Sequence, residues 1–145
     1  MRFMVIVKSS PENEKEGFRP DPQLLAEMGK FNEELIKAGV VLAMDGLHPS
    51  RKGARVKFSG THRTVIDGPF TEAKELIAGF WIWKVKSLEE AIEWVKRAPG
   101  PDDGEYEIEI RQVGEMEDLA EILSEEEIEY KKAKRAELPN QTFNK

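Results

Sequence analysis

Residues 79–86 read GFWIWKVK, with Phe80, Trp81, Ile82 and Trp83 in an unbroken apolar row. Aromatic and β-branched residues at this density make a strand. Side chains alternate across a strand, so two large apolar groups fall on each face. A strand that is apolar on both faces has to be covered on both. The chain must therefore build a layer against each side of this strand, or borrow one.

The rest of the sequence supplies one layer readily. Arg2–Lys8 (RFMVIVK) is a second buried strand, followed by a polar loop over 9–20. Asp21-Pro22 pairs a capping residue with proline at the first helical position. Leu24, Leu25, Met28, Phe31, Leu35 and Ile36 then recur at helical spacing up to Gly39, a helix stop. Residues 40–44 form a strand. Residues 55–58 and 63–66 form a hairpin around Ser59-Gly60, and 71–76 a short helical turn. Ser87 with Glu90 opens a second helix carrying Leu88, Ala91, Ile92 and Val95, closed by Pro99-Gly100-Pro101. Residues 105–111 alternate charged residues with Tyr106, Ile108 and Ile110, as a half-exposed antiparallel strand does.

The order β-α-β, hairpin, β-α-β predicts an α+β fold, a ferredoxin-like split βαβ with an inserted hairpin. Its helices lie on one face of the sheet. For the other face the simplest cover is a second copy of the chain in a two-fold dimer. The 145 residues suit one core, with a domain over 1–113 and a C-terminal helical extension over 114–145. In that extension Met116, Leu119, Ala120 and Leu123 share a helical face, and Ser124 with Glu127 forms another capping box. Residues 139–145 are expected to be loose.

The net charge of −6 divides unevenly. The extension carries 9 acids and 5 bases, leaving the first 113 residues nearly neutral. Residues 46–66 hold no acid and five bases, Arg51, Lys52, Arg55, Lys57 and Arg63. There is no cysteine, which excludes disulfides, thiolate nucleophiles and Cys-ligated metals. Two histidines without cysteine make a poor zinc set, so no metal and no organic cofactor are expected. No apolar run approaches the ~20 residues of a membrane span, and no leader peptide is evident, so a cytoplasmic protein without membrane partner is expected. The aromatic strand lacks interleaved basic residues, and the late strand is acidic, so no nucleic-acid partner is expected either.

The most distinctive segment is Asp67-Gly68-Pro69-Phe70-Thr71-Glu72-Ala73-Lys74-Glu75. It sets a carboxylate at a strand end, able to cap its own turn or to face a pocket as base or anchor. With Gly79 and the aromatic strand after it, this run resembles the signature of the DGPF-motif branch of the YCII-related family. Gly46-Leu47 and Pro49 before the hairpin, and Ala91-Ile92-Glu93-Trp94, fit too. The resemblance covers roughly residues 1–113 and implies a dimeric α+β barrel. It also implies suspected enzymes with a His and an Asp in one cleft, some of them associated with sigma factors. Plain YCII-like members carry that His on the first helix; residues 23–38 here contain none.

Two functions of different class follow. One is a small enzyme acting on a modest, anionic metabolite by acid/base chemistry in a cleft of the dimer. There Asp67 is the base or anchor, and Asp45 and His48 form a second acid/base pair. Lys74, Glu75, Arg55 and Arg63 would line the substrate, with the bases as an anion-attracting rim. The other is a non-catalytic dimeric module that binds a small ligand or a regulatory protein. In that case Asp67 caps its turn, Arg55 and Arg63 are outward hairpin residues, and His62 is a solvated turn residue.

Overall fold

The computed structural model describes residues 1–101 and 104–139. Four strands make an antiparallel sheet in the order β2-β5-β1-β6: Arg2–Lys8 (β1), Val41–Gly46 (β2), Ile77–Lys84 (β5) and Ile108–Gln112 (β6). This is the strand order of the ferredoxin-like split βαβ. The hairpin Ala54–Ser59 (β3) and His62–Asp67 (β4) is a separate two-stranded sheet. The helices are Pro11–Glu14 (α1), Pro22–Lys37 (α2), Leu88–Val95 (α3) and Glu125–Ala136 (α4).

Local sequence explains how the helices begin and end. The Asp21 carboxylate accepts the Gln23 N–H at 3.0 Å, satisfying a donor that has no partner within α2. At the other end Gly39 adopts φ +70°, open to glycine without strain. The Gly39 N–H bonds the Ile36 carbonyl and the Val40 N–H that of Leu35, a Schellman closure. At α3 the Ser87 hydroxyl accepts the Glu90 N–H, while the Glu90 carboxylate reaches one residue further back, to the Lys86 N–H at 2.8 Å. The α4 box is fully reciprocal between Ser124 and Glu127.

The core lies between the sheet and the helices α2 and α3. Trp83, Phe3, Leu35 and Val5 are fully buried there. Phe31 of α2 meets Trp81 edge-on, with ring centroids 6.0 Å apart, and Trp83 at 6.4 Å. Such edge contacts add about 0.5–1.5 kcal/mol each to the burial itself. Among the described residues the Trp83 indole N–H is the one buried side-chain polar atom without a partner.

Phe80 and Ile82 point to the opposite face, with Met4, Ile6 and Arg111 beside them. The extension answers part of the cover requirement within one chain. Glu115 grips Arg2 through two hydrogen bonds of 2.7 and 2.8 Å, and Arg135 of α4 comes over Met4 and Ile82. Ile82 is already buried in the single chain.

Three boundaries differ from expectation. The last strand starts at Ile108 rather than 105: its ladder with β1 ends at Val7↔Ile108, with one further bond from the Lys8 N–H to the Glu107 carbonyl. The aromatic strand begins at Ile77 and ends at Lys84, two residues earlier at each end than read from sequence. The helix expected through 115–123 is only a short 3₁₀ turn, Met116–Leu119. There Glu115 is drawn to Arg2 while Asp118 accepts the Glu115 N–H. The expectation for 139–145 lies, apart from Pro139, outside the described residues.

The Arg2 bond holds the Glu115 carboxyl below its ordinary range, opposed by partial burial. A depressed carboxylate stabilises the fold fully above its unfolded pKa and loses that contribution as pH falls through the folded value. Glu115→Ala leaves a mostly buried guanidinium unpaired and is expected to cost about 2 kcal/mol. Urea unfolding at pH 7 and pH 3 checks both points: the gap between wild type and variant should shrink at pH 3.

Candidate functional site

Two ladders converge on an opening beside α2. Gly46 at the end of β2 stands directly opposite Gly79 at the start of β5. A methyl group on Gly79 would lie 3.0 Å from the Asp45 carbonyl oxygen and 3.3 Å from the Gly46 Cα, so the two backbones meet where no side chain fits. The paired glycines leave an open cavity of about 460 Å³. Val7, Met28, Met44 and Trp81 give it apolar walls, and Asn32 brings a polar side chain; Asp45 stands opposite Phe80, on the other face of the sheet, and borders the opening with its backbone carbonyl near Gly79. This composition, apolar walls with few convergent polar groups, is that of a small-molecule pocket.

Asn32 is held by its surroundings. The Trp81 indole N–H, which can only donate, bonds the Asn32 amide oxygen at 2.9 Å. That orients the amide, and its NH₂ has no partner among the described residues. Asn32 sits on the first long helix, one turn after Met28, and sequence reasoning missed it. The signal that could have found it was a polar residue on the apolar stripe next to Phe31.

The other candidate residues are dispersed. Asp45 borders the cavity with its backbone; His48 and Asp67 do not line it. His48 is exposed between β2 and the 3₁₀ turn Ser50–Lys52. Asp67 is exposed at the end of β4 opposite Ala54, and among the described residues its carboxylate makes no hydrogen bond, not even to its own turn. Lys74 and Glu75 are exposed in the 3₁₀ turn Ala73–Glu75. Arg55 stacks on the Phe70 ring, 3.8 Å from its centroid. Arg63 stacks on Phe58 and donates to the Gly60 and His62 carbonyls at 2.9 and 3.0 Å, which ties it to the hairpin turn. His62 is exposed in that turn.

The Asp67–Phe70 segment is instead fastened by its backbone. The Glu14 carboxylate accepts from both the backbone N–H and the hydroxyl of Ser50, and the Ser50 oxygen accepts the Phe70 N–H at 2.9 Å. The Gly68 N–H bonds the Gly53 carbonyl at 3.1 Å. A methyl group on Gly68 would stand 1.8 Å from the Ser50 carbonyl oxygen, so no side chain is admissible there. This lock joins α1, the Ser50 turn and the loop after β4. No group of three or more His, Asp or Glu residues able to hold a metal occurs among the described residues.

A four-stranded sheet in this order, with two helices on one face and a cavity at the β2/β5 end, defines a ferredoxin-like α+β protein. Residues 1–117 match the YCII-related domain, and the chain belongs to that family. It is similar to an uncharacterised protein of Rhizobium meliloti, 28% identical over 90 residues that make up 61% of this chain and 73% of that protein. No helix among the described residues is long and apolar enough to cross a membrane.

Gly68→Ala is expected to destabilise by about 3 kcal/mol through overpacking against the Ser50 carbonyl. Ser50→Ala, which removes a hydroxyl bridging Glu14 and Phe70, is expected to cost about 1–2 kcal/mol. Equilibrium urea denaturation ranks the two; Gly68→Ala within error of wild type would contradict this account of the loop.

Proposed function

We propose that the protein binds a small molecule of mainly apolar body in the cavity between α2 and the β2/β5 end of the sheet. The observation that carries this reading is the facing pair Gly46 and Gly79, which opens an apolar pocket against α2. Asn32 offers an NH₂ donor already oriented by Trp81. The matching ligand carries a hydrogen-bond acceptor, such as a carbonyl or hydroxyl oxygen. With apolar walls and one neutral donor, a neutral ligand fits better here than the anionic one expected from the basic stretch.

Asp45 stands opposite Phe80 on the face turned away from α2, so among the described residues no titratable side chain is aimed into this cavity. The larger catalytic assembly of Asp67, His48 and Asp45 needs three side chains that one protomer holds apart, which favours binding over catalysis. The intact Asp67-Gly68-Pro69-Phe70 run supports placement in the DGPF branch.

We further propose that the protein works as a homodimer. The hairpin is exposed along both strands, with Val56, Phe58 and Val65 bare on one face at 55%, 70% and 66% exposure. A lone two-stranded ribbon is marginal in water, and a second copy supplies the surface that covers it.

A thermal-shift panel of neutral, cationic and anionic small metabolites tests the pocket, using wild type, Asn32→Leu and the cavity-filling Ala78→Leu. A neutral compound is expected to raise wild-type Tm, with at least tenfold weaker binding to Ala78→Leu. Equal binding by both proteins would place the ligand elsewhere. Light scattering of Phe58→Glu beside wild type tests the dimer; a wild-type mass of one chain would overturn it.

A further inference from the structure

The face of the sheet turned away from α2 and α3 holds a second cavity, of about 360 Å³, roofed by the extension. Its floor is a single row across three strands. Arg111 of β6 stands opposite Met4 of β1, and Met4 stands opposite Ile82 of β5. Arg2 lies two residues back along β1 on the same face, and Arg135 lines the cavity from α4. Three guanidinium groups thus surround an apolar floor of Met4, Ile82 and Val113.

The charges around it do not balance. Arg2 is fully engaged by Glu115, in a bidentate pair that is mostly buried. Glu109 is shared, at 3.4 Å from Lys8 and 3.3 Å from Arg111, and these contacts hold its carboxyl below the ordinary range. Arg111 therefore has half a partner. Arg135 is half-buried; among the described residues its guanidinium makes no direct hydrogen bond or ion pair, though its charge helps hold the Glu115 carboxyl below the ordinary range. Among the described residues Lys8, Arg2, Arg111 and Arg135 are answered by Glu109 and Glu115, which leaves a local excess of positive charge beside apolar side chains. Arg111 is 73% exposed and Arg135 half-buried, so an anion held between them at this water-facing rim gains charge-assisted hydrogen bonds that the protein leaves unmade.

We propose that this cavity binds a small organic carboxylate with a short apolar body. The carboxylate sits between Arg111 and Arg135, whose planar forks suit two-pronged contact with its oxygens. The body lies on Met4 and Ile82. Because Arg135 belongs to α4, the ligand ties the extension to the sheet, and binding also fixes the helix in place. The site is separate from the pocket beside α2 and does not depend on it.

The test uses the full-length protein with methyl-labelled methionine and isoleucine, titrated with phenylacetate and followed by NMR. Phenylacetate is expected to shift Met4 and Ile82 in a saturable way. Arg111→Met and Arg135→Met, which keep the apolar stems, should each weaken binding at least tenfold. The neutral isostere 2-phenylethanol and inorganic phosphate should each bind at least tenfold more weakly, one lacking the charge and the other the body. Circular dichroism on the two variants confirms an intact fold. Saturation by phosphate as tight as by phenylacetate would reduce the site to charge attraction and overturn the proposal. So would unchanged affinity in Arg135→Met, or shifts confined to Met28 and Met44 in the other pocket.

Discussion

The contact of Phe31 with Trp81 and Trp83 is the one on which the remaining structure depends. It joins α2 to the central strand β5, and it sets the height of the helix above the sheet. From that height follow the depth of the cavity beside Met28 and the reach of Asn32 to the Trp81 indole. The two tryptophans also take one face of β5 entirely, which leaves Phe80 and Ile82 to the other face. Everything on that far side, the extension and the arginine-lined cavity included, exists because the central strand has two apolar faces and α2 can cover only one.

Much of this was legible in the residues. Phe80 to Trp83 dictated a buried central strand, and Asp21-Pro22, Gly39, Ser87 and Ser124 marked helix ends where the structure has them. These are local signals, carried by caps, prolines and periodicity within a few residues. The strand order follows from the sequence of element types, since few antiparallel arrangements accept β-α-β twice.

The cavity was much less legible. That Gly46 faces Gly79 depends on a ladder register across 33 positions, and a shift of one residue would close the opening. Asn32 reads in isolation as one more polar helix residue; only the packing of Trp81 makes it a wall. The extra β5 residue Ala78, between the pairs Val7↔Gly79 and Lys8↔Ile77, is likewise a property of the ladder and not of any local signal. Asp67 shows the converse. Its motif is conspicuous in part because Gly68 must pass against the Ser50 carbonyl, a requirement of backbone packing that holds whatever the acid beside it does. A distinctive run of residues can record a steric necessity as well as a reaction.

The hairpin meets the body mainly through glycine backbones and the Ser50 lock at its root. None of its twelve strand residues contributes to the buried core. Its outer two-thirds can therefore change in length, charge or apolar character without disturbing the packing of Trp83 or the shape of either cavity. The fold thus separates what must be kept from what is free to diverge. A family built on this plan can acquire new binding partners by rewriting one ribbon while its pocket stays as it is.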